Sequence, residues 1–89
     1  MNTEDLLSQI YSAIDDKEEA MLARSNPRTL GEQDSDDIRS IARSGQTIGD
    51  LFSYSRRPKR EVLAYMQRHH PADLRRILES TLRRMDKKS

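Results

Sequence analysis

Apolar side chains recur at intervals of three and four along most of this chain, and that spacing admits helices and little else. The clearest case is the C-terminal segment. Leu74, Ile77, Leu78, Thr81, Leu82 and Met85 fall at i, i+3, i+4, i+7, i+8 and i+11, while Arg75, Arg76, Glu79, Arg83 and Arg84 take the other faces. One side is a core stripe and the other is cationic. Two features hint at strands, the stretch Leu51 to Tyr54 and the β-branched Val62, but neither alternates with period two. The pattern predicts an all-α fold, a small bundle of four to five helices in which a long N-terminal helix precedes a compact helical domain.

Leu6, Leu7, Ile10, Ile14, Met21 and Leu22 predict a first helix running to about Arg24. Asn2 or Thr3 would cap it, and Glu4 and Asp5 would complement its dipole. Ser25, Asn26 and Pro27 stop it. The expected organisation is an N-terminal helical arm over 1–24, a linker over 25–34 containing Pro27 and Gly31, and a basic helical domain over 35–89. Inside that domain a short helix runs from about Ser35 to Ser44, capped by Asp34 or Ser35, and Gly45 suits the left-handed residue that ends it. Thr47 and Asp50 have the spacing of a capping box, opening a segment that ends near Ser55. Pro58 fits the first turn of the next helix, which Pro71 closes while starting the last.

The core must be thin. Leu, Ile, Val and Phe number 17 among 89 residues, and chains of this size bury only about 60–65% of the surface they expose when unfolded. Self-association is one way to complete such a core, and a homodimer is the expectation. Leu7, Ile10, Ile14 and Met21 form the stripe expected to meet a second helix, within the chain or between protomers. Cysteine is absent, which removes disulfides, thiolate chemistry and Cys-ligated zinc. The longest apolar run, Val62 to Met66, is five residues, far below the roughly 18 of a membrane span. A cytoplasmic protein is expected, without a membrane partner.

Charge is distributed unevenly. Residues 1–50 carry 11 Asp/Glu against 5 Lys/Arg, and residues 51–89 carry 4 against 11. The overall +1 therefore hides a dipolar chain whose halves can each recruit opposite charge, from a partner or from each other. Arg56, Arg57, Lys59, Arg60, Arg68, Arg75, Arg76, Arg83 and Arg84 are the candidate surface for a nucleic acid or an acidic protein, because the planar guanidinium grips phosphate and carboxylate alike. The isoelectric point near 8.1 falls short of the value of about 9 expected of a dedicated nucleic-acid domain. Only Tyr54 and Tyr65 lie among the basic residues to stack on bases.

Residues 45–69 admit a helix-turn-helix-like frame, with Ile48, Phe52, Tyr54 and Val62 buried and Arg56, Arg57, Lys59 and Arg60 at the start of the second helix. Against it, Ser53 stands where glycine is usual and Lys59 where an apolar residue is. The bland alternative is two core helices joined by a solvated basic loop.

His69 and Asp73, four apart, share a helical face, but no third or fourth ligand stands at metal-site spacing, so no metal or other cofactor is expected. Nor is catalysis. The two histidines sit together at a helix end, the carboxylate pairs Asp15-Asp16, Glu18-Glu19 and Asp36-Asp37 suit solvation and helix starts, and the three glycines form no phosphate loop. The function expected is a small non-enzymatic regulatory or adaptor protein that binds another protein, with a dimeric DNA-binding transcriptional regulator as the alternative.

Overall fold

The longest helix begins at Pro71, whose missing N–H and fixed φ suit a first helical turn. The computed structural model describes residues 1–27 and 30–87. Within them the order is α1 (Thr3–Ser12), α2 (Asp16–Ser25), α3 (Glu32–Arg43), α4 (Ile48–Ser55), α5 (Lys59–His69) and α6 (Pro71–Lys87), with no strand. The all-α class is as expected, with six helices in place of four to five.

The extra helix arises at Asp15. Read as one helix to Arg24, the N-terminal segment is two, because Asp15 turns extended (φ −93°, ψ 117°) and its carboxylate accepts the Lys17 amide at 2.9 Å. A short acidic side chain that bonds its own backbone competes with the helical ladder. The Ala13 amide bonds back to the Gln9 carbonyl at 3.0 Å and closes α1. Asn2 caps that helix by accepting the Asp5 amide at 2.8 Å.

α3 starts at Glu32, earlier than the expected Ser35. Asp34 is its third residue rather than its cap, and from there its carboxylate accepts the Gly31 amide at 3.0 Å. The capping box of α4 is present in both directions: Thr47 Oγ1 accepts the Asp50 amide at 3.2 Å, and Asp50 Oδ2 accepts the Thr47 amide at 3.0 Å. Gly45 adopts the expected left-handed conformation, φ 79°.

α6 packs against α1, α3, α4 and α5 and is the axis of the core. Ile38, Leu51, Val62, Leu63, Met66 and Ile77 are fully buried there, joined by Leu6, Ala42, Ile48, Leu74 and Leu78. Leu6 belongs to this same core, so α1 is packed on the C-terminal helices. Two residues of the expected core lie outside it. Met85, near the end of α6, is 44% exposed, and Tyr54, read as buried, is 59% exposed with its hydroxyl donating to Asp37.

α2 differs from its neighbours in having no buried residue. Its seat on the fold is made by the basic residues of the turn between α4 and α5, with Phe52 of α4 and its own half-buried Leu22 beside them.

Candidate interaction site

Three residues, Arg56, Arg57 and Pro58, separate α4 from α5. Arg56 makes the turn by adopting φ 52°, ψ 32°, the left-handed conformation that ends many helices, and its amide bonds back to the Phe52 carbonyl. Pro58 then places the first amides of α5 at the surface. The opening N–H groups of a helix have no intrahelical acceptor and carry the positive end of its dipole. In this fold a carboxylate reaches them from the opposite half of the sequence. Glu19 of α2 accepts the Lys59 amide at 2.8 Å on Oε2 and the Arg60 amide at 3.0 Å on Oε1.

The same contact is reinforced on both sides. Arg60 Nη2 lies 3.3 Å from Asp16 Oδ1, one turn before Glu19 on α2. Beyond the C-terminal end of α2, Asn26 Nδ2 donates to the Arg56 carbonyl at 2.7 Å, and the Leu30 amide donates to Glu61 Oε1 at 3.2 Å. Lys59 extends over the Phe52 ring, its Nζ 5.8 Å from the centroid. A cavity of about 370 Å³ remains between the two elements, lined by residues that include Glu18, Leu22, Arg56, Arg57 and Lys59.

Arg57 departs from the outward basic surface assigned to it. It is 4% exposed, drawn in by Glu61 four residues on (Nε to Oε1, 3.3 Å) and by the Asn26 carbonyl (3.4 Å from Nη1). Its Nη2 is buried without a hydrogen-bond partner among the described residues. The remaining candidates divide into two groups. Arg56, Lys59 and Arg60 gather at the turn beneath α2. Arg68 is exposed on the last turn of α5, and Arg75, Arg76, Arg83 and Arg84 are exposed along α6. Arg75 pairs with Glu79 at 3.4 Å, and Arg83 donates to Ser80 at 3.0 Å. Arg84 lies close enough to Asp50 to help hold its carboxyl below the usual aspartate range, after the larger effects of the Thr47 amide and hydroxyl.

The apolar stripe assigned to a helix partner is not one face. Leu7 and Ile10 pack on the protein's own core from α1, Ile14 lies at the break, and Met21 is 57% exposed on α2. His69 and Asp73 are likewise put to separate uses. Asp73 is buried between Arg39 and Arg43, 3.2 and 3.3 Å from their Nε atoms, and the His69 ring packs against Tyr65 with centroids 4.7 Å apart. No cluster of three or more metal-ligating side chains occurs among the described residues.

Ser35, expected at the start of its helix as a cap, lies inside α3, where its hydroxyl sits between the Tyr65 hydroxyl and His70 Nε2 and ties the first turn of α3 to the end of α5. The sequence pattern gives Asp16 and Glu19 only as members of carboxylate pairs suited to solvation and helix starts, whereas in the fold they reach the basic turn between α4 and α5. Among the described residues no helix is long and apolar enough to cross a membrane. No protein-family model, curated protein or solved structure matches the chain.

Proposed function

We propose that the protein is a small non-enzymatic regulatory or adaptor protein that works in the cytoplasm by binding an acidic segment of another protein. The observation that carries this reading is the seat of α2, where Glu19 bonds the Lys59 and Arg60 amides and Asp16 meets the Arg60 guanidinium. The basic turn accommodates an acidic helix within its own fold, so carboxylate on a helical scaffold is a chemistry it fits. Arg68, Arg76, Arg83 and Arg84 extend cationic surface beyond that seat, where charge complementarity raises on-rate and selects partners. The homodimer in this reading rests on the apolar groups left at the surface, Met21, Tyr54 and Met85.

A second reading is favoured by one observation. An eight-residue helix, a three-residue turn with a left-handed first residue and a following helix are the parts of a helix-turn-helix DNA reader. Weighing against it, Glu19 takes the first amides of the second helix, Asp16 pairs with Arg60, and Arg57 is turned inward.

Titrating the protein with poly-glutamate and, separately, with mixed duplex DNA over a range of salt tests the choice. The adaptor reading expects salt-sensitive association with the acidic polypeptide, weakened by combined Arg76→Ala, Arg83→Ala and Arg84→Ala substitution. Association with duplex alone contradicts it and supports the DNA-binding regulator.

A further inference from the structure

We propose that α2 is an internal stand-in for the partner: a displaceable acidic helix that holds the α5 seat until an acidic helix of another protein takes the same place. The inference rests on the binding reading above and specifies its site and its regulation. The seat is formed by the Lys59 and Arg60 amides, the Arg60 guanidinium and the walls of the cavity beside Arg56 and Lys59. Its present occupant presents two carboxylates three residues apart, Asp16 and Glu19, which lie on one face of a helix. A partner of matching chemistry is a helix with an Asp-x-x-Glu spacing.

Two independent features indicate that α2 does not complete this site. The first is the manner of attachment. α2 has no fully buried residue, it is joined to α1 through the non-helical Ala13–Asp15 break, and it is held at the seat by the Glu19 hydrogen bonds and an exposed ion pair, with half-buried Leu22 beside the cavity. Elements with few buried apolar contacts open at the lowest free energy in a structure. The second is Arg57. It sits between the cavity beside α2 and a second one bordered by Leu30, Ile38 and Tyr54, and is more than nine-tenths buried, yet its Nη2 lacks a partner among the described residues. A buried guanidinium N–H left unbonded is costly, and an added acceptor from a longer or better-fitted acidic helix would remove that cost.

Because α2 is tethered, it competes at high effective concentration, and weakening it raises the apparent affinity of an outside ligand with no new contact. The test uses the full chain and a labelled peptide with the sequence of residues 15–26, offered to the wild type and to the Asp16→Asn, Glu19→Gln double variant. The expected result is at least about tenfold tighter peptide binding by the variant, with amide shifts at Lys59 and Arg60. Equal affinity for both chains overturns the proposal. So does a gain for mixed duplex DNA without a gain for the peptide, which would assign the seat to phosphate. A variant that loses its fold is replaced by hydrogen exchange on the wild type: α2 amides exchanging as slowly as the α6 core overturn displacement, and faster exchange confined to α2 supports it. The arginines of α6 play no part in this test, so its failure is separable from failure of the wider binding reading.

Discussion

Thr81 Oγ1 accepts the backbone amide of Ile48 at 2.9 Å while donating to the Ile77 carbonyl at 2.7 Å, so one hydroxyl joins the middle of α6 to the first residue of α4. The Ile48 amide is one of the donors that α4 cannot satisfy itself, and it is inside the protein. Thr81→Val keeps the shape and removes the acceptor, which is expected to cost about 1–3 kcal/mol in urea unfolding. Thr81→Ser keeps the acceptor and should cost no more than about 0.8 kcal/mol for the lost methyl. Equal destabilisation by the two would show that the hydroxyl is not what holds α4 in place.

Ile77 is fully buried where α6 meets its neighbours. Ile77→Ala is expected to destabilise by about 2–5 kcal/mol through lost transfer energy and the cavity left behind. Met85 occupies the same stripe two turns later but is exposed, so Met85→Ala should change stability by less than about 0.5 kcal/mol. Thermal melts of the two variants measure the end of the core directly.

The Asp50 carboxyl is held below its ordinary value first by the Thr47 amide and then by the Thr47 hydroxyl, with slight burial opposing and Arg84 adding to the depression. A carboxylate depressed in the folded state stabilises fully above its unfolded pKa, and that contribution is lost as pH falls through the lower folded value. Asp50→Asn, which lacks the charge at every pH, should melt below the wild type at neutral pH. The two melting curves should converge on acidification. A difference that persists unchanged in acid contradicts the assignment.

Arg56 pays a steric cost for its left-handed conformation that glycine does not. Because its contact to Asn26 uses the backbone carbonyl, Arg56→Gly keeps that bond. Relief of about 1 kcal/mol is expected, which for a domain of this size raises Tm by about 4–8 °C. A lower Tm would mean that the Arg56 side chain contributes more than the strain costs.

Features set by neighbouring residues were legible in the sequence. Thr47 with Asp50, Gly45 and Pro71 mark helix ends through chemistry confined to one turn, and each acts as expected. The break at Asp15 carried a signal too, an acidic cap with Glu18 three residues on, but the seven-residue spacing of Leu7, Ile14 and Met21 runs across it and reads as continuous helix. The burial of Arg57 left a faint trace in Glu61 at i+4. The seat of α2 left none, because Glu19 and Lys59 are 40 residues apart and only the folded core brings them together. Charge totals said that the halves of the chain attract, without saying which residues meet.

The most direct measurement is amide hydrogen exchange at Lys59 and Arg60. These are the first two residues of α5, no carbonyl within the helix can accept from them, and the carboxylate of Glu19 is their acceptor. Protection of both amides in the wild type, lost in Glu19→Gln while the α6 core keeps its protection, is the predicted result. Unprotected amides in the wild type, or protection unchanged by Glu19→Gln, would contradict the seating of the acidic helix on the basic turn.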